Sequence, residues 1–478
     1  MTRLPPTLPP VRFRREPLIS ADESARIHEL ALSILADIGM QIHHDPARER
    51  LAAAGFRVNG ERVFFDAPVV ESYVDEMRRH ITERPRAAEP ADDGQLSLSI
   101  SSYSLWVQDV KTGEVVPYTT DRLVEMTKLV DTLTDDRVYG VPPGIPVDVH
   151  PDLHPLAQYR IAALNSRQGA SPVDPTSAAT VNHLFDMAEV LGSPIDGLPV
   201  YLPSPLRLGG ESLDVVLACL DRLAHISVSS MPSTGANAPL HPFGALALAA
   251  AELMGGLVTL RLLTGKPVTF HVDIFPFDLR AGSQIFGSPE NLRYQMLCAD
   301  FNRFYGWPAS RGPGNTHVMS KTPDSQAAAD KAAIMAWGAA LGQRHFGAAG
   351  TLSLDEIFSA EQLLVDIEIR DWVQAAIQGP WLGEEVVDDW LAEIRAGVAR
   401  SFVGLDSTLD HYRAQTWYPR RFERGAIGRW MSTGRPELSD RLRDEARRRI
   451  AYHEFELDAD RRREIERIYA AAQRAVDG

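Results

Sequence analysis

The stretch Val268-Thr-Phe-His-Val-Asp-Ile-Phe275 alternates strictly. Val268, Phe270, Val272 and Ile274 share one side and Thr269, His271, Asp273 and Phe275 the other, because successive side chains of a strand point to opposite faces. A strand over 267–274 is therefore predicted, with its apolar side packed on helices. It sits between two apolar-periodic stretches, 243–263 and 290–305, which read as helices. The same order recurs along the chain. Short apolar runs at 138–141, 199–202, 226–230, 309–312 and 345–350 read as strands, and 323–341 and 361–377 as further helices. Strands alternating with helices imply parallel pairing, either in a closed barrel or in a doubly wound sheet. A dinucleotide-binding sheet would carry GxGxxG after its first strand, and that motif is absent. The expected fold is α/β, a (β/α)8 TIM barrel over residues 137–385, with the eighth strand unassigned.

Residues 1–136 read as a helical cap followed by a β-hairpin. Ser20-Ala-Asp-Glu23 is a capping box, and Ile27, Leu30, Ile34, Leu35 and Ile38 recur at helical spacing until Gly39. Pro46 and Pro68 open two further helices around the turn Asn59-Gly60. Leu96, Leu98, Ile100, Leu105 and Val107 alternate before the turn Thr112-Gly113, which predicts a hairpin over 95–118. Residues 386–478, rich in Arg and Glu, are expected to form a helical extension packed on the barrel.

The chain has 478 residues, 44% of them hydrophobic and 24% charged, the composition of a globular protein with a sizeable core. A net charge of -15 argues against nucleic acid and anionic membranes as partners. Cys219 and Cys298 are far apart and outside any CxxC, so neither a disulfide framework nor a thiolate zinc site is expected. The N-terminal MTRLPPTLPPVRFRRE is basic and Pro-rich with no apolar run behind it, unlike a signal peptide. Apolar stretches are interrupted by Gly, Glu or Arg, short of a membrane span. These features predict a soluble, cytoplasmic protein.

In a barrel, residues at the C-terminal ends of strands face the active-site mouth. His271, Asp273 and Phe275 meet that condition, with Phe277 and Arg280 in the loop beyond, where a guanidinium would clamp a carboxylate through two hydrogen bonds. A packed His/Asp pair and an ordinary surface ion pair fit the same residues. Aromatic residues gather at strand ends and loops: Tyr103, Trp106, Phe275, Phe277, Tyr305, Trp307 and Phe358. Such a set can cage a quaternary ammonium group, each desolvated contact being worth up to about 2 kcal/mol, although core packing explains any one of them. Met231-Pro-Ser-Thr-Gly-Ala-Asn-Ala-Pro-Leu240 leaves room for a ligand beside its backbone, ahead of a helix N-terminus. No HxH on a strand, HExxH or GxSxG occurs, which disfavours a catalytic metal centre and the simplest serine hydrolase.

Several segments together resemble the trimethylamine methyltransferase family. They include Ile34-Leu-Ala-Asp-Ile-Gly39, Val107-Gln-Asp-Val-Lys-Thr-Gly-Glu114, Ser230-Met-Pro-Ser-Thr-Gly-Ala-Asn-Ala-Pro239, Asp278-Leu-Arg-Ala-Gly282 and Ser320-Lys-Thr-Pro-Asp-Ser-Gln326. Ser359-Ala-Glu-Gln362 and Thr408-Leu-Asp-His-Tyr-Arg413 follow in order. The resemblance implies a TIM barrel that demethylates a small quaternary or tertiary amine, betaine-like, onto a corrinoid (cobalamin) carried by a separate corrinoid-binding protein. It also implies a homo-oligomer without a tightly bound metal, in the branch lacking pyrrolysine. His271, Asp273 and Arg280 are then the orienting groups. Tyr103, Trp106, Phe275, Phe277, Tyr305, His345 and Phe358 are the substrate contacts, and Ser233, Gly235, Asn237 and His317 the cofactor contacts. Leu240-His241-Pro242, Leu405-Asp406 and Met319 depart from the family pattern, which points to a divergent substrate or a different methyl acceptor. Two alternatives stay open: a metal-dependent barrel hydrolase or lyase using His271, Asp273 and another histidine, and a non-catalytic betaine-binding barrel.

Overall fold

In the computed structural model, which describes residues 13–83, 94–140, 142–170, 173–308, 312–378 and 389–477, the stretch at Val268 joins a parallel ladder. The strand Val268–Phe270 pairs with His225–Ser230, and that strand pairs with Gly197–Leu202. A second parallel ladder places Ser97–Ile100 between His345–Ala349 and Val138–Tyr139. Asn315 bridges Gly347 in parallel at the flank of this second ladder. The helices between strands follow the sequence reading closely: Pro242–Thr264, Pro289–Asn302, Ser325–Ala340 and Ala360–Ile377. The fold is a mixed α/β one. Among the described residues the ladders are separate sheets, and their hydrogen bonding does not close into a barrel.

Two strand readings need correction. The strand expected over 267–274 ends at Phe270. Beyond it the buried side chain of Asn302 replaces a neighbouring strand: its Oδ1 accepts from Val272 N at 2.8 Å and its Nδ2 donates to Val272 O at 2.7 Å. The chain then forms a separate strand, Phe275–Asp278, parallel to Ser233–Thr234. The hairpin expected over 95–118 is formed by Trp106–Gln108 and Val115–Pro117 alone, and Ser97–Ile100 lies outside it in the second ladder. Alternation identifies a strand without naming its partner, and Ser97–Ile100 carries apolar Leu98 between two serines wherever it pairs. Val141 and the 309–311 part of another expected strand lie outside the described residues.

One helix ties the molecule together. Pro242–Thr264 is long and apolar enough to cross a membrane by length and composition, longer than expected from apolar runs that glycines and a glutamate interrupt. Its surface is apolar all round because both sides are covered by protein. One side meets the N-terminal helices Ala21–Asp37, Asp45–Ala53 and Ala67–Glu83, the other the first parallel ladder. Adjacent glycines permit the close approach on opposite sides. A Cβ on Gly255 would lie 2.8 Å from Met40 Sδ, and one on Gly256 would lie 2.9 Å from Val228 Cγ1 and 3.1 Å from Leu202 Cδ1. Glu252, fully buried in this helix, accepts hydrogen bonds from Ser204 Oγ at 2.8 Å and Leu206 N at 2.9 Å, and so fixes the loop after Gly197–Leu202.

The expected capping box forms at Ala21–Asp37, with Ser20 and Glu23 bonding reciprocally. At the C-terminal end, Leu438–Ala451 packs on Ala360–Ile377, and Ala459–Asp477 packs on His154–Asn165 and Val181–Leu191. Arg160 clamps Glu466 through two hydrogen bonds of 2.7 Å. The apolar core is continuous from Ile19 to Ala472.

Candidate functional site

Along most of the two ladders the strands present apolar residues to the helices and small or polar residues to the other side, although Val268–Phe270 is buried throughout. Leu198, Val200, Ile226, Val228, Leu98 and Phe346 are buried, whereas Gly197, Pro199, Tyr201, His225, Ser227, Ser229, Ser97, Ser99, His345 and Gly347 are reached by solvent. The register continues this face across the first ladder. Tyr201 lies opposite Ser229, and His271 follows one residue after the Val228–Phe270 pair. Tyr201, Ser229 and His271 thus form a row at the C-terminal strand ends, with strands roughly 5 Å apart.

Three distant segments meet at one end of that row. The phenols of Tyr103 and Tyr201 both donate to Asp174 Oδ2, at 2.5 and 2.6 Å. Tyr103 is placed by its neighbours. Gln158 Nε2 holds Ser102 O at 2.9 Å, and Ser104 Oγ donates to Asp355 O at 2.8 Å. Burial, then the charge of Asp174, pushes both phenols above the ordinary tyrosine range, with Asp355 adding to the effect at Tyr103. Both tyrosines are therefore protonated donors at neutral pH. Burial also raises the Asp355 carboxyl above its usual range.

At the other end, His271 Nδ1 lies 3.1 Å from Asp273 Oδ2. The Trp307 ring meets the His271 imidazole edge-on at 5.9 Å, and Trp307 Nε1 donates to Phe270 O at 2.7 Å. Asn302 secures the backbone between the pair, so the His/Asp geometry rests on an amide that also donates to Cys298 O at 2.8 Å.

The 231–239 loop leans on the Phe275–Asp278 strand. Ser233 N donates to Asn237 Oδ1 at 2.6 Å, Gln284 Nε2 donates to Ser233 Oγ at 2.7 Å, and Gly235 turns the chain with a φ of +84°. Phe275, Phe286 and His317 touch in series, the first pair tilted and the second edge-on, each ring pair 5.6 Å apart. Burial, with a smaller contribution from Lys331, pushes the His317 imidazole down to about 3, so it is neutral at physiological pH. The chain beside it is held by a fully buried ion pair. Lys331 Nζ lies 2.9 Å from Asp366 Oδ2 and 3.0 Å from Ala348 O. Asp366 also accepts from Gly350 N and Gln362 Nε2, both at 2.7 Å. Ala348 and Gly350 have φ of +65° and +76°; this conformation is costly for the alanine, and the ion pair holds it.

The structure thus brings His271 to Asp273, and joins His317 through Phe286 to Phe275, the strand neighbour of Ser233. Other expected contacts are placed elsewhere. Tyr305 is fully buried against Phe270, Phe301 and Phe304, with its hydroxyl 3.1 Å from His28 Nδ1, on the helix side of the ladder. Phe358 is also fully buried. Neither ring reaches the solvent-facing row, so both leave the cage set. Trp106 is 44% exposed, on the hairpin strand that pairs with Ile357–Ser359. Phe277 pairs with Gln284 across a short antiparallel ladder, and Arg280 is exposed, with its backbone N–H on Asp278. His345 bridges Ser97 at 3.0 Å and Ser99 at 2.9 Å, at the N-terminal end of its strand. Among the described residues no three His, Cys, Asp or Glu side chains converge as metal ligands.

The family model for trimethylamine methyltransferase matches residues 7–476. The chain belongs to the trimethylamine methyltransferase family. Among its relatives in that family, a trimethylamine methyltransferase of Methanosarcina acetivorans is 25% identical, with 96% of each chain covered. A glycine betaine methyltransferase of Desulfitobacterium hafniense is 23% identical, covering 86% of this chain and 88% of the relative. The crystal structure of the Methanosarcina barkeri monomethylamine methyltransferase matches 91% of this chain and 89% of its own, at 11% identity and a TM-score of 0.42.

For this member of the trimethylamine methyltransferase family, sequence reasoning missed Asp174, Tyr201, Asn302 and the Lys331–Asp366 pair. Tyr201 had a usable signal, since its predicted strand puts it two residues from Pro199 on the same face. Asp174 follows from no periodicity, because it lies in a loop between helices.

Proposed function

We propose that this protein transfers a methyl group from a small quaternary or tertiary amine of betaine type to the Co(I) of a corrinoid held by a separate protein. The observation that carries the reading is the family match over residues 7–476, joined by relatives named for trimethylamine and for glycine betaine. A corrinoid would supply the nucleophilic cobalt that accepts the methyl group. Ser233 and Asn237 are tied into internal hydrogen bonds, so the 231–239 loop would offer backbone and small surfaces around Gly235, with neutral His317 linked to it through Phe286 and Phe275. His271, oriented by Asp273, and the aromatic residues of the same face would position the amine and exclude water, which is where most of the rate gain in such a transfer originates. A quaternary donor leaves as a neutral tertiary amine, and a tertiary amine bound as its ammonium ion leaves as a neutral secondary amine, so neither requires a general acid of the chain.

The architecture proposed for this activity is a (β/α)8 barrel of which the two ladders are arcs. The inward alternation common to both ladders and the Asn315–Gly347 bridge support it. On this reading the barrel begins at Ser97–Ile100 and the cap ends before it, rather than near residue 136. The test is to mix the protein with reduced cob(I)alamin and, separately, glycine betaine, proline betaine, carnitine, choline and trimethylamine, and to follow the visible spectrum. Loss of the Co(I) band with one amine, dependent on protein, is expected. No change with any of them, even when corrinoid proteins of related systems are supplied, overturns the proposal.

A further inference from the structure

We infer that Asp174, with the Tyr103 and Tyr201 rings it holds, is the seat for the cationic head of the substrate and sets its specificity for a methylated ammonium. The inference rests on the proposed reading of the protein as an amine methyltransferase and adds the residues that recognise the charge. Three segments remote in sequence supply the group. The loop after Ser97–Ile100 gives Tyr103, the loop before Val181–Leu191 gives Asp174, and the end of Gly197–Leu202 gives Tyr201. Their convergence on one carboxylate oxygen is specific, since each phenol lies within 2.6 Å of it.

The side chains are also presented rather than packed away. Tyr103 is 49% exposed and Tyr201 40%, on the face that carries Ser229 and leads to His271. Each hydroxyl is tied to Asp174 while the residue stays part-exposed, which leaves the apolar body of the side chain free to meet a ligand. Both phenols act as donors, so neither brings a negative charge of its own. The carboxylate of Asp174 acts on both rings, and Asp355 adds to it at Tyr103. Aromatic faces backed by carboxylate attract a cation that cannot donate hydrogen bonds, through the ring quadrupole and the net charge together. A neutral molecule of the same shape gains only the apolar part. Ser212 Oγ, which accepts from Tyr201 N at 3.1 Å, helps to fix the strand end that presents the ring.

The test is calorimetric titration of the full chain, without any corrinoid, with choline and with its neutral isostere 3,3-dimethylbutan-1-ol. The wild-type protein is expected to bind choline at least tenfold more tightly than the isostere. Asp174→Asn should remove most of that preference, with circular dichroism confirming that it is folded. Tyr201→Phe keeps the ring and loses the donor, and should weaken choline binding by a smaller factor. Equal binding of choline and isostere by the wild type, or an unchanged preference in folded Asp174→Asn, overturns the assignment. Because no methyl transfer is needed for the readout, binding that behaves as expected beside a failed cob(I)alamin assay would overturn the methyl acceptor and leave the cation seat standing.

Discussion

The ladder built on His225–Ser230 and the ladder containing His345–Ala349 share the same arrangement of faces, yet their C-terminal ends are held by opposite chemistry. After Val268–Phe270 a neutral amide, Asn302, takes the place of a missing strand. After His345–Ala349 a fully buried ion pair, Lys331 with Asp366, anchors a left-handed turn through Ala348. The first device spreads its hydrogen bonds over backbone groups and leaves His271 and Asp273 open. The second concentrates two formal charges in the interior, where each depends on the other. Removing part of the amide leaves uncharged groups unsatisfied, while removing half of the ion pair strands a charge.

The largest effect should therefore come from Asp366→Ala, which leaves Lys331 buried without its counter-charge. A loss of about 3–5 kcal/mol is expected from urea denaturation, and the double variant Lys331→Met/Asp366→Leu should recover most of it. A loss below about 1 kcal/mol would mean that the turn is not held electrostatically. Asn302→Ala removes both partners of Val272 and should cost about 2–3 kcal/mol. Asn302→Asp retains the acceptor for Val272 N but turns a buried carboxylate oxygen toward the Val272 and Cys298 carbonyls, and should cost at least as much as Asn302→Ala. If Asn302→Ala proved as damaging as Asp366→Ala, the distinction between the two ends would be lost.

A pH experiment sharpens the comparison, because His317 lies beside the second ladder and feels Lys331. Its folded value of about 3 lies below the ordinary 6.5. The unfolded chain therefore binds a proton between those values that the folded chain refuses, so stability is full above about pH 6.5 and falls as the pH drops toward 3. From pH 7 to pH 5 this one group should cost about 2 kcal/mol. His317→Gln should lose correspondingly less over that interval, as read from denaturation midpoints at the two pH values. The smallest effect belongs to Ser20→Ala, a loss of about 1 kcal/mol at the capping box. Far from both ladder ends, it should add to either variant within roughly 0.5 kcal/mol.

The elements legible in the sequence were those whose signal is local. The helix Pro242–Thr264, the capping box at Ser20 and the alternation in His225–Ser230 each follow from periodicity or from a short motif, and each forms within about two residues of the expected bounds. Pairing is not local, so Ser97–Ile100 was read as a strand but given the wrong neighbours. The amide substitution at Asn302 ended the strand at Phe270, and nothing in the run Val268–Ile274 signals a side chain arriving from another helix. Tyr305 illustrates the same limit for the site. Its place near an expected strand end suggested an open ring, whereas the short helical turn Arg303–Tyr305 carries it into the core against Phe270. His271 and Asp273 were found because alternation alone puts them on one face, while Asp174 was missed because a loop has no such rule.

The paired glycines of Pro242–Thr264 limit how the chain can be divided. With Gly255 pressed on Met40 and Gly256 on Val228, the helix is a party wall: the N-terminal helices and the ladder each use one side, and neither can finish its own surface without it. A fragment beginning after Glu83 would leave the Met40 side bare as a long apolar strip, and one ending before Pro242 would uncover both neighbours. Expression of isolated pieces should therefore yield aggregates, whereas insertions are best tolerated at surface loops well away from this helix.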